Sequence, residues 1–532
     1  MADVSAGLSD LFTLSSLLFV VLGLLAGFGA GLLPGFSASN AAALVLGLTL
    51  TMSPTNALIF MGGIYAGDTF SGSVPAILLN IPGTPGAAAT AFDGYPLAQQ
   101  GKSSLAIAIS RTGSAAGGVL AAAAVVVVIH PLSQLALKIG SREMCIVLLF
   151  GLMVIATVIG SSVVKGLLAA STGMLFGAVG LDPVSGASRM TFSLLPLADG
   201  IPLPTIIVGL FAVAGMVALS ATVGTGGRSR RRADPADADT ASADRSFTGV
   251  VRAGVAALRS EVGEAGHGMR LAVSYPWVIV RSAVIGLVIG IAPGAGTAVS
   301  SFVGYARAKS TSKHPELFGK GSPEGIVASE AADTSVTAGA LVPTLALGIP
   351  GSATAAVMLS ALYLHGLTPG PTLIRDNGPF VYTVLFGLLL CCLLILPLGI
   401  LLAIPMRSVV RVRPGLLVPP ILVLGLVGAY ATRSMMFDLF LVVLFGLVGL
   451  AMRAGGYPFV PMILGLVLGP LMESNLDRAL RLGDNQVSYF FGSTTAVVLW
   501  CVLAAVVGYA SLRGVLLRRR PGTAPDRATT AD

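Results

Sequence analysis

The chain has 532 residues, of which 55% are hydrophobic and only 11% are charged. Soluble domains carry about 25% Asp, Glu, Lys and Arg, because their exteriors need charge. The composition therefore excludes a soluble enzyme, a disordered protein and a nucleic-acid-binding protein. A net charge of +8 fits basic cytoplasmic loops. The sequence predicts a polytopic protein embedded in a lipid bilayer.

The apolar segments predict the helices in chain order. Residues 11–33 are too long for the hydrophobic region of a signal peptide and lack preceding basic residues, so they predict a retained transmembrane helix. Further candidate spans lie at about 41–62, 104–129, 144–160, 162–180, 200–222, 275–292, 337–348, 380–404, 416–430, 435–452, 457–472 and 491–516. Several are short or interrupted by Gly and Pro. We therefore expect an all-α membrane fold with about 12 transmembrane helices, some of them broken or re-entrant.

Basic residues divide the chain and predict its orientation. Residues 223–273 are polar, low in complexity and contain eight arginines, and the tail at 517–532 is also basic. We predict a first transmembrane repeat at 1–222, a cytoplasmic linker at 223–273, a second repeat with closing helices at 274–516, and a cytoplasmic tail. No Lys or Arg precedes Lys102, so the positive-inside rule places the N-terminus outside.

Two of the Pro-Gly pairs in each half occur in the same order. The pairs are Pro34-Gly35 and Pro82-Gly83 in the first half, and Pro293-Gly294 and Pro350-Gly351 in the second. The prolines are 48 residues apart in the first half and 57 in the second, so the match requires an insertion of nine residues. Two halves that start on opposite sides of the membrane predict an inverted-topology repeat.

A Pro-Gly pair ends a helix inside the membrane, because Pro lacks a backbone donor and Gly tolerates unusual torsions. A helix that restarts there directs unpaired N–H groups and partial positive charge at a cavity, which favours a carboxylate. Ordinary turns between complete helices are the alternative, and the two matched copies favour a transport site. The candidate substrate-binding residues are Pro34, Gly35, Ser37, Asn40, Asn80, Pro82, Gly83, Thr84, Pro293, Gly294, Pro350, Gly351 and Ser352.

Acidic side chains also occur in membrane-depth stretches, where an ionisable group is costly and marks a functional candidate. Each half contains an acidic dipeptide between its Pro-Gly pairs, and Glu330 comes three residues before the second one. For these residues we expect cation coordination or proton coupling, with helix capping as the alternative for Asp68, Asp333 and Glu330. Asp93-Gly-Tyr-Pro is interpreted as a turn. The candidate ion-coupling residues are Asp68, Thr69, Glu330, Asp333 and Thr334.

Long runs around these residues resemble the large membrane subunit of the tripartite tricarboxylate transporters. The runs are GGIYAGDTFSGSVPAILLNIPGT at 62–84, TAFDGYP at 90–96, FGKGSPEGIVASEAA at 318–332, LGIPGS at 347–352 and GLTPGP at 366–371. The family's usual Asn pair appears here as Asp333-Thr334, and Gly215 stands near the position of an expected acidic residue. The resemblance covers most of residues 15–490.

The resemblance implies a secondary transporter subunit, not an enzyme, in the inner membrane of a bacterium. Its partners would be a small membrane subunit and an extracytoplasmic solute-binding protein. The substrates would be di- or tricarboxylates or related organic acids, imported with co-transported Na⁺ or H⁺ and without a bound cofactor.

Two other classes are the alternatives. A channel or structural scaffold is the first, although a channel would show rings of like charge or a repeated carbonyl filter, and the sequence shows neither. A membrane enzyme is the second, and it needs a nucleophile–base pair or a metal site. The four His and four Cys residues form no such pattern.

Overall fold

The computed structural model describes residues 2–33, 36–136, 140–158, 163–181, 187–215, 217, 263–292, 296–403, 405–406, 418–501 and 503–504. Within these ranges the regular secondary structure is helical, apart from one antiparallel pair of two-residue strands, Gly180–Leu181 with Ser188–Arg189. The predicted all-α class is confirmed. Most of the predicted linker, the tail at 517–532, and the pairs Pro34-Gly35 and Pro293-Gly294 lie outside the described residues.

The first half contains ten described α-helices. They are α1 (Ala2–Leu11), α2 (Leu14–Gly31), α3 (Ala38–Val45), α4 (Pro54–Ser71), α5 (Ser73–Leu79), α6 (Ala87–Gln99), α7 (Ser103–Ala136), α8 (Ser141–Val158), α9 (Val163–Gly177) and α10 (Leu203–Ile207). The last continues as a π-helical turn, Val208–Val213. Short 3₁₀ turns occur at Gly47–Thr51 and Leu195–Leu197.

The second half begins with α11 (Gly263–Val273), which occupies the end of the segment predicted as linker. The following helices are α12 (Pro276–Ile291), α13 (Gly296–Thr311), α14 (Pro323–Leu347), α15 (Ala353–Leu364), α16 (Pro371–Asp376), α17 (Gly378–Leu401), α18 (Val418–Arg433), α19 (Met436–Ala454) and α20 (Phe459–Leu482). Two further 3₁₀ turns are Pro315–Leu317 and Val487–Phe491.

Four helices begin at hydroxyl N-caps that the sequence places just before them. The side-chain oxygens of Thr13, Ser53, Ser322 and Ser352 each accept a hydrogen bond from the backbone amide three residues later, over 3.1–3.3 Å. These bonds satisfy donors that a helix start otherwise leaves unpaired. Pro at the first helical position reinforces the starts of α4 and α14.

Four described helices are long and apolar enough to cross a membrane, namely α2, residues 103–132 of α7, α17 and α19. The pair α11–α12, bent by 79°, would make a fifth. The predicted span at 41–62 is instead divided among α3, a 3₁₀ turn and α4. The predicted span at 337–348 is the second half of the 25-residue helix α14. Both helices α4 and α14 are largely buried, so other helices rather than lipid surround them.

Glycines set the packing of two matched helix pairs, α2 with α4 and α12 with α14. A Cβ atom added to Gly27 would collide with the carbonyl of Ile64, and one added to Gly286 would collide with the carbonyl of Ala332. One helical turn later, the corresponding contacts are Gly31 with the Asp68 carbonyl and Gly290 with the Val336 carbonyl. Small residues at such contacts let helix backbones approach closely.

These contacts give one alignment of the two helix pairs. Ile64 is aligned with Ala332, and Asp68 is aligned with Val336. In this alignment Asp68 and Asp333 are offset by three residues, about one helical turn. The residue of α4 that corresponds to Asp333 is Tyr65.

The two halves exchange helices as they pack. Helix α6 of the first half packs against α13 and α14 of the second, and α15 of the second half packs against α3 and α4 of the first. Helix α7 lies between α14 and α17, while α8 and α9 pack on α20. A single cluster of buried side chains includes residues from both halves.

Candidate functional site

Each of the four matched Pro-Gly pairs precedes a helix that starts within a few residues of it. These helices are α3, α6, α13 and α15, beginning at Ala38, Ala87, Gly296 and Ala353. Each start carries unpaired backbone N–H groups and a partial positive charge. The predicted restart of helices after the Pro-Gly pairs is confirmed.

Asp68 lies in α4 opposite the start of α3. Its side chain is 4% exposed, and the backbone of Ala38 interacts with its carboxylate. The Oδ1 atom has no hydrogen-bond partner among the described residues. Burial of a carboxylate oxygen that lacks a hydrogen-bond partner costs free energy, unless a bound cation or a proton compensates the charge.

Asp333 lies in α14 between two helix starts. It is 1% exposed, and neither carboxylate oxygen has a hydrogen-bond partner among the described residues. A Cβ atom on Gly86, just before α6, would overlap this carboxylate, and the Thr297 side chain at the start of α13 faces it. Asp68 and Glu330 are close enough to repel it electrostatically.

Tyr65 lies in α4, one turn before Asp68, and it contacts the start of α15. Its hydroxyl donates a hydrogen bond to Ser352 Oγ over 3.0 Å, and Ser352 is the N-cap of α15. Tyr65 and Asp333, which the glycine contacts align, each contact the start of a helix of the opposite half. Sequence analysis missed Tyr65, although it precedes Pro82 by the same 17 residues that separate Asp333 from Pro350.

Glu330 is held in a cage of hydroxyl groups in the middle of α14. Thr90 Oγ1 donates to its Oε1 over 2.5 Å, and Ser114 Oγ donates to its Oε2 over 2.5 Å. Ser73 and Ser110 share a hydrogen bond of 2.7 Å beside it. Glu330 is fully buried and seven residues from the start of its helix, so the expected alternative of a helix cap is wrong.

Asp93 is a buried residue of α6, and its interpretation as a turn is wrong. Its Oδ1 accepts hydrogen bonds from the amides of Gly319 at 2.7 Å, Gly321 at 2.9 Å and Ser322 at 2.8 Å. These amides belong to the segment that leads into α14. Asp93 therefore fixes the start of the helix that carries Glu330 and Asp333.

The glycines of the second Pro-Gly pairs are packing residues. A Cβ atom on Gly83 would collide with the carbonyl of Gly31 and lie 2.9 Å from Gly72 Cα. One on Gly351 would lie 2.9 Å from the carbonyl of Gly290 and 2.7 Å from Ala340 Cα. Because each glycine lacks a side chain, its loop packs closely against the helix pair of its own half. This packing positions the helix that follows.

The remaining candidates of the first half lie in different surroundings. Ser37 is the N-cap residue of α3, and its hydroxyl lies 2.8 Å from Ser39 Oγ. Asn40 is buried beside Gly215. Asn80 ends α5 in the left-handed conformation, at φ 56°, and is exposed, as is Pro82.

Three candidate residues with hydroxyl groups contact neighbouring helix segments rather than the aspartates. Thr84 is buried against Gly72, and its Oγ1 accepts from the Ala87 amide over 3.4 Å. Thr69 donates to a carbonyl of its own helix, at Ala66. Thr334 directs its methyl group at Gly118 of α7, and its hydroxyl has no hydrogen-bond partner among the described residues. The structure therefore brings Asp68 and Asp333 together with helix starts, but not with Thr69 and Thr334.

Across the part of the chain that the structure describes, no three His, Cys, Asp or Glu side chains are placed to hold one metal ion together. A cation at this site would be bound by one or two carboxylates together with neutral oxygens. Hard cations such as Na⁺ accept oxygen ligands of both kinds.

Broken helices that converge on buried acidic side chains define a helical membrane protein with a polar site at its centre. The chain belongs to the tripartite tricarboxylate transporter TctA family, whose family model matches residues 17–464. The predicted family is confirmed. The family is one of transporters rather than enzymes, and its members are membrane subunits of three-part systems.

Two relatives come from Agrobacterium vitis. The uncharacterized 52.8 kDa protein in the TAR-I ttuC' 3' region is 32% identical over 527 residues, which cover 98% of each chain. The uncharacterized protein in the TAR-II ttuC' 3' region is 32% identical over 235 residues, or 42% of this chain and 94% of the relative. No solved structure matches the chain.

Proposed function

We propose that this protein is the large permease subunit of a secondary transporter that imports di- or tricarboxylates, or related organic acids, together with Na⁺ or H⁺. The observation that carries the proposal is the convergence of restarted helices on Tyr65, Asp68 and Asp333, all buried between the two halves. Family membership supports the same function.

The helix starts suit the anionic substrate. Four N-termini directed at one region supply partial positive charge without placing a fixed cation there. The Ser352 hydroxyl, already in contact with Tyr65, adds a polar group that can exchange partners when a carboxylate binds. Helix starts alone give only partial charge, so they orient a carboxylate without neutralising it.

The two aspartates suit the driving cation. Moving a di- or tricarboxylate inward against a negative-inside potential costs about 2.3 kcal/mol per charge per 100 mV, so at least as many cations must accompany it. Asp68 and Asp333 together offer three buried oxygens that lack hydrogen-bond partners among the described residues. Glu330 has hydroxyl donors on both oxygens, which favour its ionised form, and it is a further ion-coupling candidate.

We further propose that the halves form an inverted-topology repeat, with about 12 membrane crossings when short and broken helices are counted. The shared contacts of α2–α4 and α12–α14 support the repeat. The N-terminus lies outside, and the Arg-rich linker and tail are cytoplasmic. In the bacterial inner membrane, the subunit works with a small membrane subunit and an extracytoplasmic solute-binding protein.

Uptake into proteoliposomes tests the proposed function. The full-length chain, reconstituted with its small membrane subunit, should accumulate a labelled tricarboxylate when solute-binding protein and an inward cation gradient are supplied outside. Collapse of the gradient should abolish accumulation, because a secondary transporter is driven by it. Equilibration without accumulation under both conditions would instead support the alternative of a channel, and the absence of any flux would support a scaffold.

Cysteine labelling tests the proposed orientation. In a Cys501→Ser background, which removes the exposed thiol, Ser5→Cys should react with a membrane-impermeant reagent added outside. Ser242→Cys, in the Arg-rich linker, should react only after the membrane is opened. Labelling of both positions from the same side would contradict the inverted repeat.

A further inference from the structure

A cavity of about 520 Å³ lies beside the first residues of α12 and α14. It is formed where α11 meets α12 at 79° and where the segment after α13 returns to the start of α14. Glu324, which lines it, precedes Asp333 by nine residues, or about 14 Å along the helix. The cavity is therefore separate from the acidic site.

The side chains of this cavity carry excess positive charge. Arg281, Lys313 and His314 line it, with Glu324 as the acidic lining residue. Glu324 accepts a hydrogen bond from Ser312 over 2.6 Å. The salt bridges between described residues include neither Arg281 nor Lys313. Arg281 and Lys313 therefore form no salt bridge with a described acidic side chain, although Glu324 acts electrostatically on Arg281 and Glu316 contacts His314.

One nitrogen of the Arg281 guanidinium has a hydrogen-bond acceptor, and another has none among the described residues. Its Nη1 donates to Thr311 Oγ1 over 2.6 Å, which ties α12 to the end of α13. Its Nε is buried without a hydrogen-bond partner among the described residues. A guanidinium held in this way presents preorganised donors to an oxyanion.

Two helix starts border the cavity. Pro276, the first residue of α12, and Pro323, the first residue of α14, both line it. Helix N-termini attract anions, and the start of α12 acts together with the cationic side chains, whereas the amides that lead into α14 already donate to Asp93. The combination favours a multiply charged oxyanion over a single carboxylate.

Two aromatic residues of the kind that concentrates near lipid headgroups line the cavity. Trp277 is 71% exposed and Tyr275 adjoins it, both among the lining residues. Trp and Tyr concentrate at membrane–water interfaces. We propose that this cavity binds a phosphate group, supplied either by an anionic phospholipid or by a soluble phosphate. The proposal does not depend on the transported substrate.

Ligand-dependent thermal unfolding of the full-length protein in detergent tests the site, with inorganic phosphate or phosphatidylglycerol as the probe. We expect at least one probe to stabilise the wild type, compared with chloride or phosphatidylcholine respectively. The half-saturating concentration should rise at least tenfold in Arg281→Gln/Lys313→Gln. A response to inorganic phosphate identifies a soluble ligand, and a response confined to phosphatidylglycerol identifies a lipid.

A matched control removes the same charge outside the cavity. Lys309 and Lys320 are exposed and do not line it, so Lys309→Gln/Lys320→Gln should respond like the wild type. If the first double variant fails to fold, the exposed single variant Lys313→Gln should still weaken binding. The proposal is overturned if neither probe stabilises the wild type, or if both double variants respond equally.

Discussion

An Asp333→Asn variant is expected to lose cation-driven accumulation of substrate while remaining folded in the membrane. The carboxylate is 1% exposed, and both of its oxygens lack hydrogen-bond partners among the described residues. The amide keeps the size of the side chain but removes its charge. Loss of one co-transported cation would lower the steady-state accumulation ratio about 50-fold at 100 mV, because each charge contributes about 2.3 kcal/mol.

The measurement is uptake as a function of external Na⁺ at fixed pH, and of pH at fixed Na⁺, in wild type, Asp68→Asn and Asp333→Asn. With Na⁺ as the driving ion, the wild type responds to Na⁺ and the variants do not. With H⁺, wild-type uptake falls as pH rises and ignores Na⁺.

The control for charge removal is Asp376→Asn. Asp376 is exposed and bonded to the neighbouring Arg375 over 2.7 Å, so its variant should transport normally. Unchanged cation dependence in both Asp68→Asn and Asp333→Asn would remove these aspartates from the coupling mechanism.

Gly83→Ala is expected to reduce uptake about 100-fold, the loss that a displacement of about 1 Å at a reacting site can cause. The added methyl group would collide with the Gly31 carbonyl and lie 2.9 Å from Gly72 Cα, both of which are backbone atoms within helix pair α2–α4. The loop must therefore move, and the start of α6 moves with it, away from Asp333. Overpacking of this kind also costs about 1–3 kcal/mol of stability.

The matched control is Gly29→Ala in α2, where nothing lies within 4 Å of an added Cβ atom. Both variants are compared for insertion, elution as a single species and uptake. Wild-type uptake by Gly83→Ala would show that the position of the α6 start is not critical, whereas equal loss in Gly29→Ala would point to a general intolerance of glycine replacement.

The sequence predicted the features that local chemistry determines. Pro-Gly pairs cannot lie within a regular helix, so the restarts at α6 and α15 followed from Pro82-Gly83 and Pro350-Gly351 alone. The long apolar runs likewise predicted helices such as α2 and α17. These inferences needed no knowledge of which helices pack together.

The features that depend on contacts between distant residues were missed. The cage around Glu330 comes from Thr90 and Ser114, which are 240 and 216 residues away, so nothing beside Glu330 distinguished it from a helix cap. Asp93 was misread for the same reason, because its three donors are more than 220 residues away.

The offset between the two acidic dipeptides has a different origin. Asp68-Thr69 and Asp333-Thr334 were matched by composition, although Asp68 precedes Pro82 by 14 residues and Asp333 precedes Pro350 by 17. Counting back from the Pro-Gly pairs would have aligned Tyr65 with Asp333, as the glycine contacts of the two helix pairs do.

Helices α6 and α15 each pack against the opposite half of the chain, and this affects how the protein folds. Along one side of α6, Gly86, Thr90 and Asp93 meet Asp333, Glu330 and the segment before α14, all in the other half. In the other direction, α15 of the second half contacts the first half through the hydrogen bond between Tyr65 and Ser352. Contacts of this kind join the two halves as domain swapping joins two protomers. Glu330 of the second half and Asp93 of the first each have their hydrogen-bond donors in the other half, so these buried groups are satisfied only when both halves are folded together.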